Sequence, residues 1–65
     1  MKARVYWESR RQEGHTDWES PKETFRNWCD DLTRVMAKQG GNGFLAGSNG
    51  AIAFHLITHI EKLED

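Results

Sequence analysis

Between Lys2 and Glu8 the chain alternates, with Ala3, Val5 and Trp7 on one side and Lys2, Arg4, Tyr6 and Glu8 on the other. Period two with a β-branched residue and aromatics predicts a half-buried strand over about 2–8. The alternation then stops. Ser9 to Glu19 has no sustained apolar period and is broken by Gly14, so it reads as a loop over 9–19, with room for a short hairpin around Gly14. Loops of that length in a compact domain are often functional.

A period of three and four follows. Phe25, Trp28, Cys29, Leu32, Val35 and Met36 form one apolar stripe, and Arg26, Asp30 and Arg34 lie opposite at i,i+4. Ser20-Pro21-Lys22-Glu23 has the makings of a capping box with proline at the first helical position. Gly40-Gly41 supplies the left-handed stop. The helix is expected over about 21–39.

Apolar runs flank Ser48-Asn49-Gly50, and Asn-Gly between such runs is a strong hairpin signal. A hairpin is expected over about 43–60, followed by a frayed tail at 61–65. With Asn49-Gly50 as the turn, Ala46 pairs with Ala53 and Phe44 with His55. Leu45, Ile52, Phe54 and Leu56 then share one face, and Phe44, His55, Ile57 and His59 the other. Residues 54–63 also admit a helical reading, with Leu56, Ile60 and Leu63 on one side.

The order β-α-β-β predicts an α+β fold: a single small domain with a three-stranded antiparallel-type sheet and one helix packed on one face. The second sheet face has no helix of its own. Phe44 and Ile57 are apolar for a passive surface, so either the long loop folds over them with Trp18 as a plug, or a partner or second copy covers them. A one-residue slip in register would exchange the faces.

Composition narrows the function. The chain has 65 residues, 37% hydrophobic and 29% charged, with 9 Lys+Arg against 10 Asp+Glu. A chain of about 60 residues buries only roughly 60% of its unfolded surface, which allows one small core. The net charge of −1 removes the electrostatic footprint of a non-specific nucleic-acid binder. The single cysteine makes no internal disulfide. No apolar stretch reaches the roughly 20 residues of a membrane helix, and no signal-peptide core precedes the first strand. A cytoplasmic protein and a complete small reading frame are the expectation. Aromatic content of 11% in a chain of mean hydropathy −0.81 argues for a folded domain.

The candidate chemistry is sparse. His55 and His59 would share a helix face, but on a strand their Cα atoms lie about 13 Å apart, too far for one zinc. No nucleophile or carboxylate motif accompanies them. Cys29 on the apolar stripe reads as a small hydrophobe. Adjacent Asp30 and Asp31 diverge by about 100° on a helix and read as solvated. Gly40-Gly41-Asn42-Gly43 lacks the Lys-Ser/Thr of a phosphate loop and follows a helix instead of preceding one. A pocket of about 300 Å³ or more has little room in so small a core.

The leading expectation is a non-catalytic protein-binding module, a small regulator or inhibitor of the phage or mobile-element type. It would occupy a surface of a larger partner, through Tyr6, Arg10, Arg11, Trp18, Phe44, His55, Ile57 and His59. No metal, other cofactor or membrane contact is expected, and homodimerisation fits the same surface. One alternative is a small nucleic-acid binder, stacking bases on sheet aromatics with Lys2, Arg4, Arg10 and Arg11 on phosphates. Another is a histidine- or metal-dependent hydrolase.

Overall fold

The computed structural model describes residues 1–47 and 50–65. Strand β1 (Lys2–Ser9) runs where the alternation predicts it. It pairs antiparallel with β2 (Gln12–Glu19) in one register from Lys2↔Glu19 to Ser9↔Gln12. β2 replaces the expected loop. Its inward positions are Gly14, Thr16 and Trp18, opposite Trp7, Val5 and Ala3. Gly and Thr hide the alternation. The glycine is required because a Cβ there would lie 2.7 Å from the Trp7 ring, so a small residue makes space for a large one across the ladder. The turn is Arg10-Arg11, and no non-glycine residue among those described has positive φ. The Asn-Gly signature of primed hairpin turns is accordingly absent.

The helix α1 spans Phe25–Gln39, four residues later than the capping-box reading places its start. Ser20 and Glu23 do meet, but as a turn. The Glu23 amide donates to the Ser20 carbonyl at 3.3 Å, and Ser20 Oγ donates to Glu23 Oε2 at 2.7 Å. Pro21 sits at the second turn position, which proline favours as much as the first helical one. Thr24 is the actual N-cap, accepting from the Asn27 amide at 3.2 Å. Gly40 at φ 61° ends the helix, and the Gly41 amide closes onto the Met36 carbonyl at 3.3 Å. The end is where the glycine pair predicts it.

The expected continuous hairpin over 43–60 is three pieces. β3 (Phe44–Gly47) and β4 (Gly50–Ala53) form a short ribbon with Phe44↔Ala53 and Gly47↔Gly50. The pairing differs from the expected Phe44 with His55, and the connection of the ribbon lies outside the described residues. A 3₁₀ turn, Phe54–Leu56, then swings the chain away. It is anchored by buried Phe54, whose amide donates to the Gly43 carbonyl at 3.0 Å. β5 (Ile57–Glu64) returns along β1. The tail expected to fray is thus the end of a strand.

β5 resembles a helix in sequence because of two irregularities. Trp7 pairs with Ile57 and Val5 with Ile60, so a two-residue step on β1 faces a three-residue step on β5. The extra residue is Thr58. A second shift lies between Ala3↔Lys62 and Lys2↔Glu64, leaving Leu63 over. Bulges of this kind put residues three apart on one strand face.

The fold is α+β, with one helix and a three-stranded antiparallel sheet in the order β2-β1-β5, plus the two-stranded ribbon. The element order is β-β-α-β-β instead of β-α-β-β. The core is small: Met1, Ala3, Val5, Leu32 and Phe54 are buried, with Ala3 and Val5 at 0% exposure. Leu32 is the buried residue of α1, with Trp28, Cys29 and Met36 half-buried beside it. The N-terminal ammonium donates to the Ser20 carbonyl at 2.7 Å and the Glu23 carbonyl at 3.2 Å, tying β1 to the segment before the helix. Among the described residues no helix is long and apolar enough to cross a membrane.

Candidate functional site

The sheet has an outer face and an inner one. Tyr6 projects outward and lies against both His15 and His59, its neighbours across the two ladders, at 5.6 Å between centroids with the rings tilted by 54° and 37°. Next along β1, Arg4 donates Nε to Asp17 Oδ1 at 2.8 Å and Nη2 to Oδ2 at 3.1 Å. This two-point bond to Arg4 holds the Asp17 carboxyl below the usual carboxylate range and raises the guanidinium in turn. Lys2 and Glu64 lie 3.8 Å apart at the end of the strand. The outer face is therefore polar, and both of its cations on β1 are paired.

That arrangement corrects the expected contact surface. Tyr6 and His59 share the outer face, joined by His15, which the loop reading of 9–19 concealed. Ile57 pairs with Trp7 on the inner side and is half-buried. Phe44 belongs to the separate ribbon, and His55 to the 3₁₀ turn. Arg10 and Arg11 are exposed at the tip of the β1–β2 hairpin. The eight residues therefore do not form one surface. Trp18 does not plug the outer face, since it projects inward opposite Ala3.

Trp18 and Phe44 meet elsewhere. A groove of about 1180 Å³ runs between β2 and the β3–β4 ribbon. It is lined by Trp7, Trp18 and Trp28, by Pro21, and by every residue of β3 and β4. Thr16, Asp17, Trp18 and Glu19 also line it. Successive strand residues point to opposite faces, so four in a row at one groove mean that it follows the edge of β2. The expectation that so small a core has little room for a pocket concerns an enclosed void, and this groove is of another kind. The groove is not a void in the core. It opens because the 3₁₀ turn separates the ribbon from the main sheet.

Its floor is tight. A Cβ on Gly47 would lie 2.0 Å from Trp18 Cζ3, so the indole rests on the backbone of β3. Trp18 Nε1 is buried with no hydrogen-bond partner among the described residues. Phe44 at the rim is 64% exposed, the most exposed of the large hydrophobic residues. The charged residues lining the groove are Asp17, Glu19 and Glu23, and among the described residues no Lys or Arg lines it. Asp17 is held by Arg4 and Glu23 by Ser20, while Glu19 makes no ion pair among the described residues.

Among the described residues no three of His, Cys, Asp and Glu converge as a cation would require. Cys29 is half-buried, and burial pushes its thiol up, with Asp30 adding to the shift. Both effects lower the thiolate fraction on which reactivity depends. Compared with protein-family models, with curated proteins and with solved structures, the chain matches none.

Proposed function

We propose that this chain is a non-catalytic protein-binding module, a small regulator or inhibitor that occupies a surface of a larger partner. The groove between β2 and the β3–β4 ribbon is its contact surface. The observation that carries this reading is the company Phe44 keeps. It stands 64% exposed at the rim of a groove that three tryptophans line. Burying a side chain of this size is worth roughly 1.5–3 kcal/mol, which stays unrealised until something covers it. Tryptophan clusters of this kind dominate the energetics of protein interfaces. The polar outer face, with its cations Lys2 and Arg4 already paired to Glu64 and Asp17, offers less apolar area to a partner.

The test is affinity capture from the source cells with the wild-type chain and with Phe44→Asp. Exposure of Phe44 leaves the fold intact in the variant, checked by far-ultraviolet circular dichroism. A partner retained by wild type and lost by a folded Phe44→Asp supports the reading. A partner retained equally by both removes it.

A further inference from the structure

We infer that the occupant of the groove is an extended, basic segment of the partner protein, added as a strand along the free edge of β2. This rests on the binding role proposed above and names the class of ligand. The sheet order β2-β1-β5 leaves an outer edge on β2 and another on β5. The β5 edge is blunted. Its ladder is broken by two register shifts, and it carries Lys62, both standard ways of discouraging further pairing. β2 has neither a register shift nor a cation, and its three charges, Glu13, Asp17 and Glu19, oppose acidic strands and not basic ones. Its eight residues contain no Lys or Pro, and they keep one register from end to end. Such an edge presents a row of backbone donors and acceptors to an incoming strand of opposite charge.

Location and charge select the occupant. The part of the β2 edge that faces the groove is Thr16 to Glu19. A strand seated there would place alternate side chains against Trp18 on the floor and Phe44 at the rim. Its other side chains would lie near Glu19 and Glu23, which line a groove with no lining Lys or Arg among the described residues. Alternating aliphatic and cationic residues satisfy both sides, and a cation beside tryptophan faces gains further attraction. A second copy is a poor occupant. Pairing β2 with its own copy would bring Glu13, Asp17 and Glu19 of each chain together, and like charges across a ladder oppose pairing.

The test is a nuclear magnetic resonance titration of the ¹⁵N-labelled full chain with three synthetic hexapeptides. One alternates lysine with valine, one alternates glutamate with valine, and one is the lysine peptide N-methylated at every second amide. The expected result is saturable shifts in the amides of Thr16–Glu19 and in the Trp18 indole signal for the lysine peptide. Affinity should fall about tenfold or more for the glutamate peptide and by a similar factor on N-methylation, which removes ladder donors. Glu19→Lys should narrow the gap between the charged peptides. Equal shifts at the groove from both charged peptides overturn the basic strand while leaving the groove as the contact surface. Insensitivity to N-methylation overturns strand addition. Shifts confined to Tyr6 and His59, or no saturable lysine-peptide binding up to about 1 mM, overturn the inference whatever Phe44→Asp does in capture. Self-association of the chain through β2, seen by sedimentation equilibrium, would do the same.

Discussion

Trp18 carries a buried indole N–H with no acceptor among the described residues. A buried donor left unpaired costs about 1–3 kcal/mol, so the fold tolerates this residue for its ring and not for its nitrogen. Trp18→Phe should therefore stay within about 1 kcal/mol of wild type in urea denaturation, because the lost contact area is offset by the removed donor. Trp18→Ala should cost about 2 kcal/mol or more. Gly47→Ala drives a methyl into the indole ring and should cost about 1–3 kcal/mol in the wild type, and much less in the Trp18→Ala background. That double-mutant cycle reads the contact directly. Asp17 adds a pH dependence. Its carboxyl is held low by the bonds from Arg4, so the stabilisation is complete above the ordinary carboxylate value. It is lost as pH falls through the lower folded value. The stability gap between wild type and Asp17→Asn should accordingly be present at neutral pH and shrink on acidification below about 4.

At the scale of the elements, the two ends of α1 contrast. Its C-terminal stop was legible because the Gly40-Gly41 pair permits only one kind of ending. Its start was not, because Ser20-Pro21-Lys22-Glu23 satisfies a turn and a capping box equally well from local sequence. The first turn of the helix contains no acidic residue, yet the Phe25 amide donates to Asp65 Oδ1 at 2.6 Å, a contact from the far end of the chain. A carboxylate there complements the positive end of the helix. Asp65→Ala should lower stability by about 0.5–1 kcal/mol, measured by thermal unfolding, and Asp65→Asn by less. The strands show the same division. β1 could be read because Ala3, Val5 and Trp7 alternate. β2 could not, since Gly14 and Thr16 take inward positions to accommodate Trp7 and Val5. β5 could not, since its bulges at Thr58 and Leu63 turn a period of two into a spacing of three. These are tertiary demands, set by what lies across the ladder, and a local reading of one strand does not contain them.

For the molecule as a whole, the α+β class, the single helix and a three-stranded antiparallel sheet match the expectation, although the sheet draws its third strand from the expected loop instead of from the hairpin. The partition into two sheets does not, and it decides where a partner would bind. With one continuous hairpin, Phe44 would join His55, Ile57 and His59 on a sheet face. With the 3₁₀ turn in place, Phe44 lies at the groove with Trp18, and Tyr6, His15 and His59 form a separate polar face. Trp18 and Phe44, two members of the expected site, thus line one groove, formed by a break that buried Phe54 anchors. The most direct test of the groove as the contact surface uses benzophenone photo-cross-linking from two positions, residue 44 at the groove and residue 59 on the outer sheet face. Each variant is mixed with the captured partner and irradiated. The account predicts a covalent adduct from position 44 and none from position 59. An adduct from position 59 alone would contradict it.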